Sequence, residues 1–408
     1  MPLPALRNID ASPVKHEGQD LVCLFDPEGF VDTQLVLSPA AFFVASCLNG
    51  NNEVRDIQVA FARQFGGTVL LSEDIQQVVD TLDVHGFLLT ERFDTIRRGI
   101  ETDFDKDDTR RAYGARRSYP GEPGELREFI ESLFALPEGP GAAPPITEAG
   151  EPARAAIVPH IDFHRGGHCY ARGYHRLAQF TKPGVVIIFG VAHASPPAPF
   201  VLTRKNFETP LGTLNTDTAI VDRLAQAATW DPYEFETVHR TEHSIEFQAV
   251  FLAYLYGTDV RIVPILCAPI SDDPFMTDPD DLDHVTRFLA ACRDVAADPA
   301  NRVTVIAGAD LAHVGKRFGD PFDIDEQIIR QVKARDHEDL EHVIAGRPQD
   351  FYKSVLRDHN QRKVCGHSCI YAALKTVEGL SSPGELVDYG YAEDPLGGIV
   401  SFAGIVLP

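Results

Sequence analysis

The sequence predicts an α/β fold, a three-layer sandwich with a largely parallel central sheet, preceded by a smaller α+β unit. From residue 154 onwards, short and nearly continuous apolar runs alternate with helical stretches. Strands of that character are typical of parallel sheets that helices cover on both faces. Before residue 95, three helical stretches and two short apolar runs indicate a winged-helix-like unit. We therefore predict domains at 1–95 and 112–408, joined by a charged linker at 96–111.

The N-terminal unit is expected to contain three amphipathic helices, each closed by glycine. They are SPAAFFVASCLNG, VRDIQVAFARQFGG and SEDIQQVVDTLDVHG. The run LVCLF precedes these helices and FLLTERF follows them. Both runs are expected to be strands of a small sheet.

The large domain begins with a turn and a helix in SYPGEPGELREFIESLFAL, followed by a loop rich in Pro and Gly. The predicted strands are AAIVPHID, VVIIFGVAH, RIVPILCAPI, RVTVIAGADLAH and the closing GGIVSFAGIVLP. The predicted helices are TAIVDRLAQAA, HSIEFQAVFLAYLYG, DHVTRFLAACRDVAA and EQIIRQVKARDHEDLEHVIAG. This alternation predicts helices on both faces of one sheet.

Composition limits the classes of function. A net charge of −23 argues against nucleic-acid binding, because phosphate contacts need clustered Lys and Arg. No apolar run reaches the roughly 18 residues of a membrane span, and the first residues lack the apolar core of a secretory signal. The seven cysteines are odd in number and dispersed, which is typical of reduced thiols. We expect a cytoplasmic protein.

Polar residues follow the predicted strands at their carboxyl ends, where open α/β sheets place a ligand crevice. His160 and Asp162 follow the first strand of the large domain, His193 follows the second, and Asp310 and His313 follow a later one. Two further histidines, His243 and His367, each stand at the start of a predicted helix.

Imidazole is the commonest metal ligand among side chains and also serves as a general acid or base. Two histidines and one carboxylate form the site of non-haem iron(II) oxygenases. His160 and His193 with Asp162, Glu246 or Asp310 would supply such a set. The carboxylates would alternatively orient the imidazoles from outside the ligand shell.

Residues 112–408 resemble the MEMO family, whose bacterial members include AmmeMemoRadiSam system protein B. The motifs that carry the resemblance are SYPGEPGELREFI, AAIVPHIDFHRGG, VVIIFGVAH, ETPLGTL, TEHSIEFQ, RIVPIL, AGADLAHVGKRFG, CGHSCI and GIVSFAG. The resemblance implies a fold related to the class III extradiol dioxygenases, with non-haem iron in the active site. Copper and zinc are alternatives to iron as the divalent metal.

The resemblance also assigns roles by position. His160 and His193 match metal-binding histidines, and His243 matches an active-site acid/base that we also take as the first substitute for a third ligand. Asp310 and His313 match an aspartate and a histidine of the active site. Between these two, the resemblance implies a metal-binding cysteine where this chain has Ala312. The third protein ligand therefore stays open at this point.

Other residues have both functional and structural interpretations. Cys365 and Cys369 in CGHSC are further candidate ligands, a redox or zinc motif, or simply buried thiols. His164 and His168 are candidate ligands as well, but we expect them in a flexible glycine-rich loop at the rim of the site.

Two functions from different classes follow. The first is a metal-dependent oxidoreductase that acts on a small molecule or peptide, with His243, Asp310 and His313 as catalytic residues. The second is a binding module for peptide or phosphopeptide on a dioxygenase-derived fold. A metal-dependent hydrolase fits the residue types but lacks a nucleophile motif. The N-terminal unit resembles the PqqD-like peptide-recognition domains in its order of elements, which implies a peptide or protein partner, such as a radical enzyme system.

Overall fold

The computed structural model describes residues 1–16, 18–147, 150–270 and 278–408. The chain forms two compact units, Met1–Lys106 and Asp107–Pro408. Within the described ranges, no helix is long and apolar enough to cross a membrane.

The N-terminal unit packs helices against a small antiparallel sheet of order β1-β2-β3. The strands are β1 (Asp10–His16), β2 (Gln19–Phe25) and β3 (Leu35–Leu37). The helices are α1 (Pro39–Ser46), α2 (Val54–Gln64), α3 (Ser72–Val84) and α4 (Glu91–Lys106). The three predicted helices are present as α1 to α3, and LVCLF lies in β2.

Two features of the N-terminal prediction are wrong. The run FLLTERF is not a strand: Leu88 makes an isolated bridge to Leu6, and α4 begins at Glu91. Most of the predicted linker is the second half of α4, which buries Phe93 and Phe104. These two residues are eleven positions apart, close to three helical turns, and therefore lie on one face. The charged residues between them concealed that apolar face. The winged-helix assignment of this unit stays a prediction.

The large unit contains a mixed sheet in the order β12-β14-β5-β11-β6-β10-β7, with β13 paired to β14. Its strands are β5 (Ala155–Val158), β6 (Val185–Val191), β7 (Phe200–Leu202), β10 (Arg261–Cys267), β11 (Val303–Gly308), β12 (His313–Val314), β13 (Glu385–Asp394) and β14 (Gly398–Leu407). A smaller sheet joins β4 (Thr109–Arg110), β8 (Asn206–Thr209) and β9 (Gly212–Leu214).

Only the centre of the main sheet is parallel, where β5, β11, β6 and β10 are neighbours. On either side, β14 pairs antiparallel with β5, and β7 pairs antiparallel with β10. The prediction of a largely parallel sheet is therefore correct for the centre and wrong for the edges. Strands β13 and β14 are also antiparallel, because strands joined by so short a turn must run in opposite directions.

Helices cover both faces of this sheet. They are α5 (Pro123–Phe134), α6 (Phe163–Leu177), α7 (Thr218–Ala227), α8 (His243–Tyr256), α9 (Asp283–Ala297), α10 (Glu326–Ile344), α11 (Pro348–Leu356) and α12 (His367–Thr376). Helices α5, α6 and α8 share one apolar core with the sheet, and α7, α9, α11 and α12 share the other. The three-layer α/β sandwich is present.

Helix α6 replaces the flexible loop that was expected around His164 and His168. It buries Phe163, Tyr170 and Tyr174 against the sheet. Their spacing of seven and four residues brings them to one helical face. The glycines and polar residues between them obscured this pattern in the sequence.

A buried ion pair holds the start of the large unit against α8. The Arg110 guanidinium and the Glu246 carboxylate are both inaccessible to solvent and form a short ion pair. Glu246 also accepts from the Tyr119 hydroxyl and from the Gly114 N–H. Arg110 Nε donates to the His239 carbonyl at 2.9 Å. Loss of one partner would leave a buried charge unpaired, at a cost of about 3–5 kcal/mol.

We predict that His239 makes the protein less stable in mild acid. Its Nε2 donates to the Val201 carbonyl at 3.1 Å, and burial, reinforced by the charge of Arg110, lowers its pKa from 6.5 to about 3. As the pH falls below about 6.5, His239 therefore becomes protonated in the unfolded chain but stays neutral in the folded chain. At about pH 5 this should lower the free energy of unfolding by about 2 kcal/mol.

The measurement is urea unfolding at neutral pH and at about pH 5, for the wild type and for His239→Gln. Glutamine retains a donor for Val201 but does not titrate. The loss of stability between the two pH values should be smaller in the variant. Equal losses in both proteins would contradict the prediction.

Candidate metal centre

The structure brings His160, His193 and His243 together. One ligand nitrogen from each lies within 4.8 Å of the others. The His160 ring stands edge-on to the other two, with centroids 5.0 Å and 5.4 Å away, while the His193 and His243 rings are nearly parallel at 5.0 Å. These histidines could hold a metal ion.

Parallel pairing explains why His160 and His193 meet. Strands β5 and β6 flank β11, and Gly308 of β11 pairs with Val158 on one side and with Gly190 on the other. His160 lies two residues beyond Val158, and His193 lies three beyond Gly190. Both therefore leave the sheet at the same edge, as the sequence predicted.

His243 reaches that edge because α8 packs unusually close to the sheet. A Cβ on Gly308 would lie 2.5 Å from the Ser244 carbonyl oxygen, and one on Gly190 would lie 2.6 Å from Ile245. Neither approach is possible for a residue with a side chain. The two glycines thus allow the first turn of α8 to rest on the strand ends and to carry His243 there.

His160 is prepared to bind through Nε2. Its Nδ1 lies 2.9 Å from the Gly308 carbonyl, which can only accept, so Nδ1 carries the proton and Nε2 keeps a free lone pair. Its side chain is 3% exposed. Burial, with repulsion from His193 and His243, holds its pKa well below the usual value. The imidazole is therefore neutral, as a metal ligand must be.

His193 and His243 form the solvent-facing side of the group, with side chains 43% and 40% exposed. His193 Nδ1 lies 3.0 Å from Glu242 Oε2, and His243 Nδ1 lies 3.3 Å from Glu242 Oε1. Burial disfavours a charged His193, but the Glu242 carboxylate outweighs it and raises the pKa of His193. Burial dominates at His243 and lowers its pKa.

Cys365 brings a thiol to the same place. Its Sγ lies 3.4 Å from His160 Nε2 and 3.8 Å from the Asp310 carbonyl oxygen. Burial raises the pKa of Cys365 to about 11. The start of α12 approaches the end of β11 closely because Gly366 has no side chain. A Cβ on Gly366 would lie only 2.5 Å from the Cβ of Ala309, the residue that follows β11.

Asp310 and His313 surround the group without belonging to the three-histidine set. Asp310 is buried, accepts from the His160 N–H at 3.0 Å, and places its other oxygen 3.6 Å from His160 Nε2. Burial raises its pKa. His313 bonds the Leu311 carbonyl through Nδ1 at 3.1 Å and packs edge-on against Phe318. Burial lowers the pKa of His313.

Several sequence candidates have other roles. The expectation that Glu246 completes the ligand set is wrong, because its carboxylate is committed to Arg110, Tyr119 and Gly114. Asp162 stands at the N-cap position of α6.

The remaining candidate histidines and the second thiol also lie outside the three-histidine set. His164 packs against Phe129, and His168 lies 3.6 Å from Asp388. His367 bonds the Val364 carbonyl, and Cys369 is buried in the core.

The inference that Ala312 stands at a ligand position of the metal site is also wrong. Its side chain is fully buried in an apolar cluster with Val314, Val332 and Ile399. Its backbone exchanges hydrogen bonds with Ser401, donating to the hydroxyl and accepting from the N–H at 2.9 Å each. This pairing turns residue 312 away from the histidines. Alanine at this position therefore removes no ligand.

Sequence reasoning missed Glu242 as a named residue. It is buried, and its carboxylate contacts two of the three histidines. The available signal was an acid directly before a candidate histidine at a helix start, where a carboxylate can bond N–H groups of the first turn.

The fold and this site define an α/β sandwich protein with a cluster of histidines at the carboxyl ends of its central strands. The chain belongs to the Memo-like protein family, whose model matches residues 110–406. The resemblance of the large domain to the MEMO family is thereby confirmed.

Relatives extend this similarity. A "MEMO1 family protein" of Aquifex aeolicus is 26% identical over 407 residues and covers 99% of each chain. Others are from Desulfurococcus amylolyticus, 29% identical over 68% of this chain and 90% of its own, and Methanopyrus kandleri, 29% identical over 71% and 95%.

Among solved structures, "Crystal structure of uncharacterized protein JW3007 from Escherichia coli K12" aligns over 63% of this chain and 100% of its own. The TM-score of this alignment is 0.41, and the sequences are 13% identical.

We predict that Ala312→Cys does not change metal binding. The new thiol would point into the apolar cluster, where one added atom costs about 1–3 kcal/mol through overpacking. The dissociation constant for Co²⁺ and the Co²⁺ absorption spectrum should match those of the wild type. A new thiolate-to-metal band in the near ultraviolet would contradict the orientation of residue 312.

Proposed function

We propose that this protein is a metal-dependent oxidoreductase whose metal is held by His160 and His193. The observation that carries the proposal is the convergence of three imidazoles, of which His160 and His193 have Nδ1 bonded to protein acceptors. The ring orientation and tautomer of a metal-binding histidine are usually set in this way. Iron is the first choice of metal, by resemblance to the class III extradiol dioxygenases, and copper and zinc are alternatives.

The residues present fit such a group. His160 is neutral and offers Nε2, and the carboxylates of Glu242 and Asp310 would offset the charge of a divalent cation. A bound metal would supply Lewis-acid or redox chemistry to a substrate that binds beside it.

We assign the third ligand position to Cys365, with His243 as the alternative. Its Sγ lies 3.4 Å from His160 Nε2, the nitrogen that His160 offers to a metal, and interaction with His193 offsets part of the effect of burial on its pKa. His243, whose Nδ1 faces the Glu242 carboxylate at 3.3 Å, is then free to take up or release a proton. Asp310 accepts from the His160 N–H, and His313, three residues further along the chain, is a further titratable group.

The first test is metal content after anaerobic purification, together with Co²⁺ titration of the metal-free protein. We expect about one metal per wild-type chain, and at least tenfold weaker Co²⁺ binding in His160→Ala and His193→Ala, since each removes a direct ligand. His175→Ala is the matched control, because His175 lies on α6 outside the cluster. Equally weak binding by the wild type and both variants would end the metalloprotein proposal.

The same titration separates the candidate third ligands. If Cys365 binds the metal, the Co²⁺ complex has a thiolate charge-transfer band that Cys365→Ser abolishes and His243→Ala retains. Absence of this band from the wild type, with loss of affinity in His243→Ala alone, would assign the position to His243.

A second proposal concerns the N-terminal unit, which we propose binds an extended peptide of a partner protein. A groove of about 380 Å³ lies between β3, α1 and α3. Val36, Ala41, Val44, Leu70 and Val78 supply its apolar lining. Val36 of β3 and Leu71 beside the groove are exposed apolar residues.

The occupant we favour is a strand that pairs with β3. In the described residues β3 is an edge strand of its sheet, paired with β2, and its residues Val36 and Leu37 line the groove. An added strand would satisfy main-chain groups there and bury alternate side chains in the groove. Asp74 in the lining and the net charge of −23 favour a peptide that carries Lys or Arg.

The test is selection of random 12-residue displayed peptides on the full chain, followed by binding measurements with the enriched sequences. Val78→Arg should weaken their binding at least tenfold, because it fills the groove. Val59→Arg is the matched control, since Val59 is an exposed valine of α2 outside the groove. No enrichment, or equal binding by both variants, would contradict the proposal.

A further inference from the structure

The Glu242 carboxylate contacts two of the three clustered histidines. The side chain of Glu242 is 5% exposed and stands at the N-cap position of α8. Its carboxylate contacts His193 Nδ1 through both oxygens, at 3.0 Å and 3.1 Å, and His243 Nδ1 through Oε1 at 3.3 Å. Burial would raise the pKa of this carboxyl, but the histidines outweigh that effect and lower it.

These contacts determine which nitrogen the His193 imidazole presents. An ionised carboxylate only accepts hydrogen bonds, so His193 Nδ1 must carry a proton to bond to it. The His193 ring then directs its Nε2 away from Glu242, while His243 Nδ1 faces the same carboxylate at 3.3 Å without a hydrogen bond. The two rings that face this carboxylate are nearly parallel, with 12° between their planes.

Glu242 is itself held rigidly. Its carboxylate accepts from the backbone N–H groups of His193 and Ser244, each at 3.0 Å. Its backbone carbonyl accepts from Arg110 Nη2 at 2.8 Å, and Arg110 is fixed by its buried ion pair with Glu246. These bonds fix the position of the Glu242 carboxylate. The orientation of the imidazoles is therefore set by the carboxylate, and not the reverse.

We propose that Glu242 is a positioning residue of the metal centre, which orients the His193 imidazole, and to a smaller extent that of His243, for metal binding. This inference rests on the metal-binding function proposed above. The two rings depend on it unequally. His193 engages both carboxylate oxygens, whereas His243 has a single, longer contact, so loss of the carboxylate should affect metal binding by His193 most.

Two other roles would give different results. If Glu242 only caps α8, its removal would lower thermal stability without changing the metal site. If Glu242 binds the metal directly, its removal would change the number of ligands, not their orientation.

The experiment compares Glu242→Gln and Glu242→Ala with the wild type in the full chain. Glutamine keeps one acceptor oxygen but not the two-oxygen contact, so we expect about tenfold weaker Co²⁺ binding, and up to about a hundredfold for alanine. The visible Co²⁺ bands should shift in both variants, and X-ray absorption of the bound metal should show an unchanged number of nitrogen, oxygen and sulfur neighbours.

The matched control is Asp217→Asn, which alters a buried N-cap carboxylate of α7 that is likewise paired with a charged side chain, Arg261. It should lower the melting temperature and leave the Co²⁺ affinity and spectrum unchanged. If Glu242→Ala fails to fold, Glu242→Gln decides the question, because it retains a partner for the Ser244 N–H.

The outcomes separate this inference from the function on which it rests. A wild type that binds no metal would overturn both. A wild type that binds metal, with the same affinity and spectrum in Glu242→Gln, would overturn only the positioning role. Loss of one metal neighbour in that variant would instead make Glu242 a ligand and would also overturn this inference.

Discussion

The structure of the candidate site depends on the parallel pairing of β5, β11 and β6. This pairing places Val158, Gly308 and Gly190 side by side, so that the residues just beyond them leave the sheet at one edge. Parallel strands share a direction, and their carboxyl ends must therefore meet. His243, Glu242 and Cys365 are added to this edge at the starts of α8 and α12.

Small residues decide which helices can start there. Gly308 and Gly190 lie beneath the first turn of α8, and Gly366 lies against Ala309 at the start of α12. A Cβ at any of these positions would lie 2.5–2.6 Å from its neighbour, so the backbones could not approach as closely as they do. His243, Glu242 and Cys365 lie at the starts of the two helices that these glycines admit. The close approach of the helix starts to the strand ends is thus one of the conditions for assembling the site.

Much of the fold could be predicted from the sequence, because its strands and helices have strong periodic patterns. Buried strands such as β6 are continuous apolar runs, and α8 is too apolar to be anything but a core helix. The errors fell where charged or small residues obscured an apolar face, as in α4 and α6, and at sheet edges, where strand direction depends on the connection. The placement of His160 and His193 followed from strand ends alone.

The sequence by itself determined the family, the layered α/β architecture and the two strand-end histidines, because these depend on local patterns and on the direction of parallel strands. Only the tertiary structure decided which other residues join them. Backbone pairing with Ser401 turned Ala312 into an apolar cluster, and a buried ion pair committed Glu246 elsewhere. Cys365 and Glu242 reached the histidines from segments about 200 and 50 positions away from His160 and His193, respectively. Proximity across such separations is set by packing, which no local pattern in the sequence encodes.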